Sequence, residues 1–270
     1  MRLVESREYK VMLQHGRFAD RRAAVSLLTA ALRETAAQLG IAMQGSFALA
    51  QKRTVTFFDT ADLLLRRRQL LLRRRVARDE LQFTLKARNE DRYIAAGQDL
   101  RSARGLNHER KFEEDISPPF CSRFSHSNRI VLRNKSESPC GLAPKTLQQA
   151  RRLYPGLKPM LTGVDLDAER IPLLAVNGIT AYERVYKGPQ LALPGKCNAS
   201  VATILWTAGR DGESLVAEMS FRYRDRTEQY SAKTAAVAWQ LFAAIQRLDW
   251  FLPNSVTKTQ FVYGDTDRAS

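Results

Sequence analysis

The sequence predicts an α+β protein in which a closed sheet lines a charged channel and helices cover the outside. Three observations lead there. The stretch Arg7–Leu13, read as a strand, puts Glu8, Lys10 and Met12 on one face and Tyr9, Val11 and Leu13 on the other. Its apolar side suits a covering of helices, whereas its charged side needs a polar enclosure. Mixed basic and acidic faces recur in later strand-like segments, and two amphipathic stretches supply the helices.

Taken in order, Ala19–Leu39 follows the first strand as a helix. Val25, Leu28, Leu32 and Leu39 recur at helical spacing, and Gly40 is placed to end it. Strands are expected at Gln51–Phe58, Gln69–Arg78 and Leu81–Arg88. Asp59-Thr60-Ala61-Asp62 forms a turn after the first, and Arg78-Asp79 a tight hairpin between the other two. In Leu81–Arg88, Gln82, Thr84 and Lys86 oppose Leu81, Phe83 and Leu85. A strand at Glu109–Ile116 carries Glu109, Lys111, Glu113 and Asp115 on one face, which fits either a wet interior or a solvent edge.

Pro118-Pro119 breaks the pattern, and the segment to about Pro159 is expected to be an irregular insertion with one basic helix, Pro144–Leu153. Strands resume at Ile179–Tyr186, Val201–Thr207 and Ser214–Tyr223, the last two a hairpin around Gly209-Arg210-Asp211-Gly212. Ala232–Leu248 is an amphipathic helix through Val237, Leu241, Ile245 and Leu248. Val256–Tyr263 is expected as a closing strand.

Composition narrows the function classes. A chain of 270 residues with 44% hydrophobic content has ample material for a packed core, as one large domain or two ordinary ones. Lys and Arg total 43 against 28 Asp and Glu, a formal net charge of +15. That excess favours polyanions: nucleic acid, an acidic membrane surface or a phosphorylated small molecule. Cys121, Cys140 and Cys197 are widely spaced without a C-x-x-C pair, which argues against zinc and against a disulfide framework. Charges at Arg2, Glu5, Arg7 and Glu8 deny the start of the chain a signal-peptide core, and no stretch reaches the ~20 apolar residues of a membrane span. The cytoplasm is the expected compartment.

The polar faces together offer Glu8, Lys10, Arg73, Arg75, Lys86, Lys111, Glu113, Asp115, Arg184, Glu218 and Lys258. A triphosphate carries about four negative charges, which cations from several walls can stabilise. Carboxylates beside it make sense if they hold Mg²⁺ or Mn²⁺.

In this order the residues resemble the CYTH, or triphosphate tunnel metalloenzyme, superfamily. Ser6-Arg7-Glu8-Tyr9-Lys10 is similar to its E-x-E-x-K opening, and Phe57-Phe58-Asp59-Thr60 to its Y-F-D-T turn. Leu72-Arg73-Arg74-Arg75 resembles L-R-x-R, and Thr84-Leu85-Lys86 resembles T-x-K. Lys111-Phe112-Glu113-Glu114-Asp115 matches a basic-x-E-x-E strand, with Arg110 as the alternative basic member. Tyr182-Glu183-Arg184 takes the place of K-x-R, Glu218-Met219-Ser220 that of E-x-E, and Thr257-Lys258 that of a late S-K.

The matches span Glu8 to Lys258, nearly the whole chain. They imply one tunnel domain over residues 1–270, an antiparallel eight-stranded β-barrel with helices outside and an insertion at about 118–160. The resemblance gives phosphate contacts to Lys10, Arg73, Arg75, Lys86, Lys111, Arg184 and Lys258, and Mg²⁺ or Mn²⁺ ligation to Glu8, Glu113, Asp115 and Glu218. Glu8 and Lys10 are the catalytic candidates. Ser6 and Ser220 depart from the pattern, each standing where an E-x-E pair has a glutamate, and a hydroxyl is a poor substitute for a charged ligand.

Three activities are therefore open. The first is a metal-dependent hydrolase of an inorganic, nucleoside or organic triphosphate. The second is a cyclase of the class IV adenylyl type. The third is a module that binds triphosphate, polyphosphate or RNA ends without turnover. Arg66–Arg68 and Arg74 fall outside the polar faces and suit solvent or nucleic acid.

Overall fold

β-strands dominate the computed structural model, which describes residues 2–163, 170–225 and 227–264. In chain order the elements are β1 (Ser6–Leu13), α1 (Arg21–Gln38), β2 (Met43–Gln44), β3 (Ala48–Asp59), α2 (Leu64–Arg67), β4 (Leu70–Val76), β5 (Leu81–Asn89) and α3 (Arg92–Gly97). There follow β6 (His108–Ser117), β7 (Cys121–Leu132), α4 (Leu147–Leu153), α5 (Leu157–Met160), β8 (Leu174–Leu193), β9 (Cys197–Thr207), β10 (Ser214–Arg224), α6 (Ala232–Ile245) and α7 (Lys258–Tyr263).

The chain divides into two units. One holds Arg53–Phe112 and Arg123–Ala181, and the other holds Leu3–Lys52, Glu113–Ser122 and the described residues from Tyr182 onward.

In the first unit, β3, β4, β5 and β7 pair antiparallel in that order. Phe58, Leu70, Leu72, Phe83, Leu85, Ile130 and Leu132 pack against Leu147, Ala150, Leu153 and Tyr154 around α4. Thr146 caps α4 by accepting from the Gln149 amide at 3.3 Å. Asp59 of the Phe57-Phe58-Asp59-Thr60 turn is buried and accepts from the amides of Thr60, Leu65 and Arg66 at 2.8–2.9 Å, so its carboxylate nucleates the turn and α2.

β7 corrects the reading of an irregular segment after Pro118-Pro119. Phe124, His126, Asn128, Ile130 and Leu132 share one side of it, with His126 and Asn128 fully buried. Two polar residues on the buried side hide the period-two hydrophobic signal. The Asn128 Nδ2 donates to the Leu100 carbonyl at 2.8 Å.

In the second unit, β1 lies between β10 and the Glu113–Ile116 stretch of β6, and β10 continues to β9, β8 and β2. Tyr9, Val11 and Leu13 join Ala217, Met219, Phe221 and Tyr223 in one core with Val25, Leu28 and Leu32 of α1 and Ala238, Leu241, Phe242 and Ile245 of α6. Tyr9 stacks on Phe221 with ring centroids 4.6 Å apart, adding aromatic attraction to the burial of both rings. Asp20 caps α1 through the amides of Arg22 and Ala23, and Ser231 caps α6 through the amide of Thr234.

Three further differences from the sequence reading stand out. β1 and β6 run parallel, so the sheet is mixed rather than wholly antiparallel. A period of two looks the same in either direction, and alternation cannot reveal strand polarity. The described residues contain ten strands, not eight. Val256–Tyr263, expected as a strand, is capped by Thr257 and continues as the helix α7. There Thr257 accepts from the Gln260 amide while the Gln260 side chain accepts from the Thr257 amide, a reciprocal cap that settles this short segment as helix. No helix among the described residues is long and apolar enough to cross a membrane.

Candidate anion-binding site

The polar face of the second unit is fixed by register. β1 sets Ser6 beside Glu113 and Glu8 beside Asp115 on its parallel neighbour. Against β10 it sets Glu8 beside Arg222, Lys10 beside Ser220 and Met12 beside Glu218. Because side chains alternate, Ser6, Glu8 and Lys10 share a face with Glu113, Asp115, Glu218, Ser220 and Arg222, opposite the face packed under α1 and α6.

Each carboxylate on that face has a donor. The Lys10 Nζ lies 3.0 Å from Glu8 Oε2 and 2.6 Å from Asp115 Oδ1. Ser220 Oγ donates to Glu8 Oε1 at 2.9 Å. Glu113 Oε1 accepts from Ser6 Oγ at 2.8 Å and from the Arg222 guanidinium at 3.2 Å. Lys258 donates to Glu218 Oε1 at 2.6 Å. The two serines that depart from the E-x-E pattern are therefore hydrogen-bond donors to glutamates on neighbouring strands, Ser6 to Glu113 and Ser220 to Glu8. Burial alone would push the Glu8 carboxyl up, but the Lys10 ammonium beside it prevails over that and over Asp115, and holds it down at about 2.

Lys258 owes its place to α7, where it is the first helical residue behind the Thr257 cap. Its ammonium sits 5.9 Å from the centroid of the Trp206 ring, and Trp206 Nε1 donates to the fully buried Glu183 at 2.9 Å. Arg184 is also buried. Its guanidinium donates to Thr207 Oγ1 at 3.2 Å and to the Arg210 carbonyl, and lies over the Tyr182 ring at 4.7 Å. These contacts tie Arg184 to the turn that joins β9 and β10.

The first unit carries its own basic face. β4 and β5 put Arg73 opposite Thr84, Arg75 opposite Gln82 and Leu71 opposite Lys86. β7 adds Arg129 opposite Thr84, a residue that sequence reasoning missed together with β7 itself. Arg73 lies over the Phe57 ring at 5.9 Å. Arg129 pairs with Glu109, and Lys111 lies 3.1 Å from the same carboxylate. Burial, then hydrogen bonding and the charge of Lys111, act on Glu109, with a net lowering of its pKa. Of the outer arginines, Arg67 pairs with Asp62, while Arg74 donates to Thr56 Oγ1 at 3.1 Å and to the Leu142 carbonyl at 3.2 Å.

The four carboxylates of this face are engaged by proton donors. Mg²⁺ or Mn²⁺ needs several oxygens converging with free lone pairs. Among the described residues no group of three or more His, Cys, Asp or Glu is gathered to hold a metal ion. Glu8, Glu113, Asp115 and Glu218 instead face ammonium, guanidinium or hydroxyl donors. The four carboxylates expected as metal ligands thus each have a side-chain proton donor beside them.

Neither a family profile nor a curated protein sequence matches the chain. Among solved structures it is similar to HpAC1 from Hippeastrum, a candidate adenylyl cyclase described as having a dominant triphosphatase activity. The identity is 11% over 97% of this chain and 96% of that one, with a TM-score of 0.49. It is also similar to candidate adenylate cyclases from Bacillus halodurans and Vibrio parahaemolyticus. The first shares 12% identity over 96% of this chain and 98% of that one, with a TM-score of 0.42. The second shares 11% over 97% and 99%, with a TM-score of 0.37. Likeness at this distance carries no residue's role across.

Proposed function

We propose that the protein binds the triphosphate group of an inorganic, nucleoside or organic triphosphate and hydrolyses its phosphoanhydride bonds. The observation that carries the reading is the polar sheet face on which Lys10 and Lys258 are each held within 3.0 Å of a carboxylate. Ammonium groups placed in this way suit the oxygens of a polyanion, and charge stabilisation is the main demand that phosphoryl transfer makes on a protein. The ordered motif resemblance from Glu8 to Lys258 supports the same reading. It assigns Arg73, Arg75, Lys86, Lys111 and Arg184 to further phosphate contacts. A cytoplasmic location belongs to the same proposal.

One observation favours a second reading, binding without turnover. Ser6 and Ser220 satisfy Glu113 and Glu8 instead of contributing carboxylates of their own. Incubating the protein with inorganic triphosphate, ATP and organic triphosphates, with Mg²⁺, with Mn²⁺ and with chelator, separates the readings. Released phosphate or pyrophosphate with a linear product supports hydrolysis, and cyclic nucleotide with pyrophosphate supports cyclisation. Saturable binding with no product leaves the binding module.

A further inference from the structure

We propose that Glu218 and Asp115 are internal counter-ions that compete with the phosphate for Lys258 and Lys10, so that triphosphate binds without a divalent metal. This rests on the proposed triphosphate reading and changes what the carboxylates do in it. A metal ligand presents unshared oxygen lone pairs to an ion. Asp115 Oδ1 and Glu218 Oε1 instead take ammonium protons at 2.6 Å, the short distance of charge-assisted hydrogen bonds.

The remaining pair follows the same pattern. Glu8 is bracketed by Ser220 Oγ at 2.9 Å and Lys10 Nζ at 3.0 Å. Glu113 is bracketed by Ser6 at 2.8 Å and Arg222 at 3.2 Å. A glutamate at position 6 or 220 would have placed a fifth carboxylate on this face, and glutamates at both a sixth. The serine in each place supplies a proton, so the positions that the metal-binding pattern reserves for acceptors are donors here.

The carboxylates then act as stand-ins for phosphate. They hold two ammonium groups in position on a partly buried face, where side-chain exposure is 21% for Lys10 and 15% for Lys258. An incoming phosphate oxygen takes over those hydrogen bonds and displaces the carboxylate. Binding is an exchange of one anion for another. Removing the resident anion therefore strengthens ligand binding, the opposite of what removing a metal ligand does.

The test is titration calorimetry of inorganic triphosphate into the full chain in chelator and in Mg²⁺, for wild type, E218Q and D115N, with Mn²⁺ alone titrated in parallel. The expected result is saturable binding in chelator and no tightening by Mg²⁺. Each variant should gain affinity, about threefold to tenfold. D115N reports on Lys10 independently of Lys258, so the test stands if E218Q fails to fold. Mn²⁺ bound by the wild type and lost in E218Q or D115N overturns the inference while leaving the triphosphate reading intact. Weaker triphosphate binding in both variants also overturns it. No triphosphate binding by any form in either buffer overturns the triphosphate reading and the inference together.

Discussion

Replacing Lys10 by methionine isolates the electrostatics of the polar face. The substitution keeps the length and most of the apolar stem but removes the ammonium that lies 3.0 Å from Glu8 and 2.6 Å from Asp115. At an effective dielectric constant near 20, each of those contacts is worth roughly 5.5–6.5 kcal/mol before desolvation is subtracted. Breaking a fully buried pair costs about 3–5 kcal/mol. Side-chain exposures of 21%, 20% and 11% for Lys10, Glu8 and Asp115 discount that to about 2–3 kcal/mol.

The pH dependence has a definite sign. Glu8 is held at about 2 in the folded chain against an ordinary 4.5, so its contribution is complete above about pH 4.5 and is lost as pH falls toward 2. K10M lacks the cation responsible, and the gap between variant and wild type should shrink across that window. Urea denaturation at pH 7 and pH 3 measures it. The reasoning is refuted if K10M unfolds within about 0.5 kcal/mol of wild type at pH 7, or if the gap widens on acidification. Adding D115N to K10M should recover part of the loss, because it removes one of the two negative charges that Lys10 balances.

Two other substitutions test the supports of Lys258. Thr257→Ala removes the reciprocal cap of α7 and should cost about 1 kcal/mol in denaturation, with a measurable loss of triphosphate affinity as Lys258 loses its anchored start. Trp206→Phe keeps a ring under the ammonium but strips the N–H donor from the buried Glu183. It should destabilise the chain by about 1–3 kcal/mol, read as a lowered urea midpoint.

Much of the second unit was legible because its strands obey strict alternation. Tyr9, Val11 and Leu13 announce a buried face, and Val25, Leu28 and Leu32 announce the helix that covers it. Glu8 and Lys10 were legible as residues on the opposite face. Their partners were not, since the bond from Lys10 to Asp115 depends on a parallel register that no local pattern encodes. Ser6 and Ser220 could be seen as departures from a carboxylate pattern, but their role as donors needs the distances to Glu113 and Glu8. β7 escaped detection because His126 and Asn128 sit on its buried side, and Arg129 was missed with it. The helix at Lys258 was missed because a capping signal at Thr257 and Gln260 outweighs the β-favouring Thr, Val and Tyr around it.

The central claim, that this face receives a triphosphate through its lysines, is tested most directly by a crystal structure of the chain soaked with inorganic triphosphate and Mn²⁺. The account predicts phosphate oxygens within hydrogen-bond distance of Lys10 and Lys258, with Asp115 and Glu218 displaced from them and no metal between carboxylates and ligand. An Mn²⁺ ion held by Glu8, Asp115 or Glu218, with Lys10 and Lys258 turned away from the phosphates, would contradict it.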